Sequence, residues 1–351
     1  MADIVYDALV SGVNAVLDYI SAHVLTCLIP AFFIAGAIAA FVKKDAILRY
    51  FGNDVEKWKS YGVASVSGGV LAVCSCTILP IFAGIYKKGA GIGPATTFLF
   101  AGPAINILAI IYTAQILGYD LGAARAISAV LMSVVIGVLM SILFKRESGG
   151  ERPNLKSNEK GKPIWLILVF FTLLITILII GGAKLELWLK IMVMLLLAVV
   201  LGLLCYRYFT KKEMKTWGTE TLDLAKKIFP ILLAGTFVLG VVAYFLPPQT
   251  FAPFLSGNSI SACFTASIVG ALLYMPTLLE VPIVGTTLGY NSGIIGAGPA
   301  LSLLLAGPAV SLPNMVVLFR ILGARKAMAY LLIVILISAF SGYIFGNIVR
   351  W

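Results

Sequence analysis

Residues 274–285 read YMPTLLEVPIVG, and Glu280 within that run is the single Asp, Glu, Lys or Arg between Lys227 and Arg320. An acid at the centre of a membrane helix costs roughly 2.5–3.5 kcal/mol on insertion scales, so it is kept where it faces a cavity or a partner. Pro276 and Pro282 remove backbone donors and disfavour helix before them. Broken backbone at membrane depth is tolerated where protein or a wet cavity satisfies it. The stretch therefore predicts a re-entrant segment with a functional carboxyl at its break.

A second interruption of the same kind, CSCTILP at 74–80, cuts the apolar segment 62–86. Across all 351 residues 60% are hydrophobic and 12% charged, against about 25% charged in a soluble domain. The expected class is an all-α polytopic protein of the cytoplasmic membrane, with the lipid bilayer as its partner. The net charge of +11 falls in short clusters between apolar runs, the mark of cytoplasmic loops, so no nucleic-acid partner is expected. Asp3, Asp7 and Asp18 without a basic residue among the first twenty argue against a cleavable signal peptide. Cysteines 27, 74, 76, 205 and 263 match neither a disulfide framework nor zinc spacing, and no metal or cofactor is expected.

Ten apolar segments are present, at about 20–42, 62–86, 91–118, 121–144, 163–183, 187–209, 228–246, 259–290, 293–319 and 327–349. Ten straight crossings give a poor positive-inside bias. If the second and eighth segments dip in and return, 22 of the 26 Lys and Arg lie inside, with Arg125, Lys184, Lys190 and Arg350 outside. The predicted topology is thus about eight transmembrane helices plus two re-entrant segments.

Motifs recur in one order around the two breaks. IPAFFIAG at 29–36 resembles FPILLAG at 229–235, LPIFAG at 79–84 resembles VPIVG at 281–285, GPA stands at 93 and 298, and AGPA at 101 and 306. LGAARA at 121–126 pairs with LGARKA at 322–327. An odd number of crossings separates the repeats, so they face opposite ways, an inverted repeat of the kind that places a transporter's site at the midplane. The expected division is a first repeat at 1–146, a cytoplasmic linker at 147–162, two connecting helices and a loop at 163–225, and a second repeat at 226–351.

The stretch CSCTILPIFAGIYKKGAGIGPATTFLFAGPAIN at 74–106, together with TLLEVPIVG at 277–285, resembles the predicted-permease family that includes the trivalent organoarsenical efflux permeases. The resemblance implies a multispanning inner-membrane permease, with Cys74 and Cys76 matching the family's cysteine pair.

Cysteine thiolates are soft ligands suited to thiophilic solutes. At i and i+2 on a helix their sulfurs diverge, whereas on extended backbone they share a face, so a break and a two-thiol site support one another; the plainer reading of Cys74 and Cys76 is close helix packing. Glu280 is the candidate to bind substrate or to carry a coupling proton. Thr77, Thr277, Asn106 and Asn314 are further candidates to line the site, with helix repair or interhelical bonding as the alternative. Pro80, Pro94, Pro103, Pro282, Pro299 and Pro308 are expected to shape the pocket. No Walker loop, dinucleotide fingerprint or hydrolytic triad is present. The expected function is a secondary-transporter-type permease for a small, thiophilic solute, working by proton-coupled efflux, and not an enzyme. A channel-like conduit and a membrane thiol oxidoreductase are the alternatives, and homo-oligomerisation is left open.

Overall fold

The computed structural model describes residues 2–21, 28–41, 56–71, 75–145, 164–182, 187–245, 248–272 and 280–348, and no strand occurs among them. The linker expected at 147–162 lies outside the described residues. The helices are α1 (Ala2–Tyr19), α2 (Ile29–Phe41), α3 (Lys57–Leu71), α4 (Ser75–Lys87), α5 (Ile92–Ala104), α6 (Ile107–Leu117) and α7 (Tyr119–Leu143). They continue as α8 (Ile164–Gly182), α9 (Leu187–Tyr208), α10 (Lys211–Phe245), α11 (Ile260–Leu272), α12 (Ala297–Val310), α13 (Leu312–Leu322) and α14 (Ala324–Ile348). A helical turn at Glu280–Pro282 runs into a π turn at Ile283–Thr287.

Among the described residues, Tyr119–Leu143, Ile191–Tyr208 and Ala324–Ile348 are long and apolar enough to cross a membrane. Counting each of two bent helix pairs as one span raises the number to as many as five. Those pairs bend two of the expected apolar segments, 91–118 and 293–319. α5 and α6 meet at 44°, and α12 and α13 at 47°. The physical cause is local: Pro103 and Pro308 remove a backbone donor in the last turns before each bend. Asn106 then caps α6, its Oδ1 accepting from the N–H groups of Leu108 and Ala109 at 3.0 and 3.3 Å. α1 precedes the first expected apolar segment. It packs on α10 where Gly12 and Gly240 bring the backbones together and Ser11 Oγ donates to the Gly240 carbonyl at 3.0 Å. Thr210 and Glu213 form a capping box at the start of α10, with the Thr210 N–H donating to Glu213 Oε2 at 2.7 Å and the Glu213 N–H to Thr210 Oγ1 at 3.3 Å.

Two bundles carry the core, and small residues set their spacing. In the first, α5 crosses α7 where a Cβ on Gly137 would lie 1.9 Å from Thr97 Oγ1 and 2.8 Å from the Gly93 carbonyl. In the second, α12 crosses α14 where a Cβ on Gly342 would lie 2.0 Å from Ser302 Oγ and 2.3 Å from the Gly298 carbonyl. Backbones approach this closely in membranes because apolar side chains gain nothing by leaving lipid, so packing itself drives association. The three pairs Gly93 and Gly298, Thr97 and Ser302, Gly137 and Gly342 share one spacing of 205 residues. The glycines that end α6 and α13, Gly118 and Gly323, share it too, with φ of 106° and 82°, a region that excludes most side chains. The register of LGAARA against LGARKA is thereby corrected: Leu117–Gly118, four residues earlier, holds the place of Leu322–Gly323.

Further elements pack along each bent pair. Tyr61 on α3 sits at Gly93 and Gly68 at Ala101, so α3 runs parallel to α5, while Ile78 near the start of α4 also meets Gly102. The arms α3 and α4 therefore run in opposite senses beside α5, on either side of residues 72–74, which lie outside the described set. In the second bundle Cys263 on α11 meets Gly298 and Gly270 meets Gly307, and Glu280 lies beside Gly307. Residues 273–279, with the expected break at Pro276 and Thr277, fall outside the described residues.

Candidate functional site: a buried Arg125–Glu280 pair

Arg125 is the single charged residue between Asp120 and Lys145. Its place follows from the tight turn at Gly118, which folds α7 back onto α6 so closely that a Cβ on Gly122 would lie 2.6 Å from that of Ala114. The guanidinium then reaches Thr113 on α6, Nη1 donating to Thr113 Oγ1 at 2.8 Å. The threonine hydroxyl donates in turn to the Ala109 carbonyl at 2.7 Å, leaving its lone pairs for the arginine. Arg125 Nη2 donates to Glu280 Oε1, and both side chains are fully buried. Glu280 Oε2 sits against the AGPA motif of α12, where a Cβ on Gly307 would lie 3.3 Å away.

The pair joins residues 155 apart in sequence, one from each bundle. It is monodentate: neither Arg125 Nε nor Glu280 Oε2 has a hydrogen-bond partner among the described residues. Two charges withdrawn from water in this way need each other, because removing one partner of a buried pair costs about 3–5 kcal/mol. The roles are unequal, since a carboxylate can be neutralised by a proton while a guanidinium keeps its charge in proteins.

The pair corrects one expectation and completes another. Arg125 is no outside loop charge; it is 0% exposed and is the partner that Glu280 was expected to have. Thr113 and Gly307 also belong to the site; Gly307 is the glycine of the second AGPA motif, while Thr113 carries no signal of its own in the sequence. Arg125 does carry one: two lone charges of opposite sign, each in a long uncharged run, are each other's natural partner.

Of the other expected site residues, Cys74 and Thr277 lie outside the described residues, as does the side chain of Cys76, whose backbone is in α4. Thr77 is buried in the first turn of α4 next to Ile78. Asn106 acts as the cap of α6. Asn314 lies on α13, buried, with Oδ1 unpartnered among the described residues. Its counterpart at the 205 spacing is not Asn106, since Ser311 occupies the N-cap of α13. Pro94 and Pro299 lie in the first turns of α5 and α12, Pro103 and Pro308 near their ends, Pro80 within α4, and Pro282 closes the Glu280–Pro282 turn. An apolar groove of about 570 Å³ between α11 and α14, lined by Ile260, Phe264, Leu336 and Phe340, presents no charged group.

Comparison with known proteins agrees with this architecture. The chain is 42% identical to the UPF0718 protein MJ0584 of Methanocaldococcus jannaschii over 352 aligned residues, covering 96% of each chain. It is 22% identical to the UPF0718 protein YraQ of Escherichia coli, over 89% of this chain and 75% of that one. A shorter likeness, 25% over 130 residues, links it to the UPF0718 protein YcgR of Bacillus subtilis, with 36% and 42% of the two chains covered. No solved structure matches. The model of the predicted permease family ArsP_1 matches residues 9–347, nearly the whole chain, and the protein belongs to that family of multi-pass membrane permeases.

Proposed function

We propose that this permease is a secondary transporter that works by alternating access, with Glu280 as its coupling group. The observation that carries the reading is the buried Arg125–Glu280 pair, which links the long helix after the first bent pair to the turn beside the second. Rocking of one bundle against the other would strain and remake that link, which is what a coupling site must sense. The recurrent spacing of 205 residues and the paired hairpins support an inverted repeat spanning 1–146 and 226–351, joined by 147–225. On that reading the chain makes about eight crossings of the cytoplasmic membrane, and the hairpins α3–α4 and α11–turn are re-entrant. The solute is a small, thiophilic molecule such as a trivalent organoarsenical, moved outward against protons. That substrate class rests on Cys74 and Cys76 in the sequence.

The test is proton-driven flux of a trivalent methylarsenical in proteoliposomes. Glu280→Gln, which keeps the shape but releases no proton, is expected to abolish uphill transport while exchange of bound solute persists. Uphill transport at the wild-type rate would remove Glu280 from the coupling role. Flux that never saturates would favour a channel instead.

A further inference from the structure

Arg125 holds a charge that it cannot lose, and its one anionic partner among the described residues is Glu280. When Glu280 takes up a proton, as the reading above requires, Arg125 becomes a fully buried cation without a counter-charge. A buried charge stripped of its partner is strongly unfavourable. The proton must therefore arrive together with a negative group that takes the place of the carboxylate.

We propose that Arg125 is the docking point of a small anion, a carboxylate or an oxyanion distinct from the exported solute, which displaces Glu280 and enters with the proton that Glu280 takes up. The geometry fits this exchange. Thr113 holds Nη1, so the guanidinium stays oriented when Glu280 leaves. The opposite edge, Nε and Nη2, is the fork that matches a carboxylate or oxyanion with two parallel hydrogen bonds. Glu280 uses that edge at Nη2 alone and leaves Nε unpartnered among the described residues. An incoming anion that engages both nitrogens gains a bond that the internal carboxylate does not make. Gly307 adds no side chain on the far side of Glu280. The charge balances: the ion pair before binding becomes an arginine–anion pair and a neutral carboxyl, with one solvent proton forming the O–H bond on Glu280. The elements packed against the Glu280 turn are the π turn, α6 and α12. α6 brings Tyr112 and Thr113, α12 has no titratable group, and α7 adds Arg125 and the exposed Asp120 at its start, so among the described residues nothing else buried there can supply the counter-charge.

The experiment uses the full-length protein in detergent, with acetate and inorganic phosphate as probes and acetamide as the neutral control. Glu280→Ala frees the guanidinium, and a saturating anion is expected to raise its melting temperature by about 2 °C or more. Acetamide should not, and the double variant Arg125→Gln/Glu280→Ala should not respond to either anion. Stabilisation by acetate alone assigns a carboxylate, and stabilisation by phosphate alone an oxyanion. In weakly buffered wild-type protein the effective anion should cause uptake of about one proton per molecule bound. Equal stabilisation of the double variant, or none of Glu280→Ala by either anion, would overturn the proposal. Should Glu280→Ala not fold, Glu280→Gln serves with the same expectations. The transport reading fails separately: anion stabilisation with uphill flux intact in Glu280→Gln spares the anion site and sinks the coupling role, and the converse result does the reverse.

Discussion

In the first bundle the residue seated on the glycine of the repeated AGP motif is Ile78, whose Cδ1 would lie 2.6 Å from a Cβ on Gly102; in the second it is Glu280, on Gly307. Ile78 and Glu280 stand two residues before Pro80 and Pro282, and Gly68 and Gly270 flank them in the same way. The long return helices differ to match. Arg125 and Tyr330 are each the seventh residue of a 25-residue helix, and both are fully buried. One AGP glycine is thus covered by an aliphatic side chain, and the other by an acid. The packing itself does not need the charge. Apolar replacement of a buried pair is often neutral or stabilising, and the first bundle shows what that solution looks like. The acid and its arginine are therefore retained for something other than holding the hairpin down.

The largest expected effect breaks this asymmetry from the charged side. Glu280→Gln leaves Arg125 unpaired and should cost about 3–5 kcal/mol in unfolding measured in detergent. Arg125→Gln should cost less, because the remaining carboxyl can take a proton. The double variant, like the Ile78 seat on Gly102, carries no charge and should recover much of the loss. Additive single costs would mean that the two side chains do not act as a pair.

A smaller effect sharpens the comparison at the helix crossings. Both variants meet a hydroxyl first, but Gly342→Ala drives its methyl to 2.3 Å from the Gly298 carbonyl, whereas at Gly137 the Gly93 carbonyl lies at 2.8 Å and the Thr97 side chain can turn away. Overpacking of this kind costs about 1–3 kcal/mol. The Gly342 variant should fall at the upper end and the Gly137 variant at the lower, and the reverse order would show that Thr97 is the more rigid contact.

The membrane class, the paired motifs and the importance of Glu280 were legible because each rests on composition or on local backbone chemistry. Prolines at both breaks and the GPA and AGPA pairs mark positions where the chain must bend or approach closely. The bends after Pro103 and Pro308 are not legible in hydropathy, which does not distinguish a straight apolar run from a capped break, although Asn106 three residues after Pro103 is a helix-start signal. Arg125 was misplaced because counting positive charges assigns each one to a loop. A charge neutralised inside the protein carries no information about sidedness. LGAARA was set against LGARKA by letter similarity, whereas the register depends on the positive-φ glycines at 118 and 323.

The smallest expected effect lies where ion pairs meet water. Lys87 at the end of α4 reaches Glu220 at 2.6 Å and Asp223 at 3.9 Å on α10, with its side chain 48% exposed. Like Arg125 and Glu280, these residues join elements far apart in sequence, but solvent screens them and long side chains lose freedom on pairing. Lys87→Ala should therefore cost about 1 kcal/mol or less. The cost should largely vanish near 1 M salt, where the Debye length is about 3 Å, while that of Glu280→Gln should persist because neither member of the buried pair meets the ions. A salt-insensitive loss at Lys87 would place the mouth of the first hairpin in a drier setting than its exposure indicates, and would make it a second point where charge holds the bundles together.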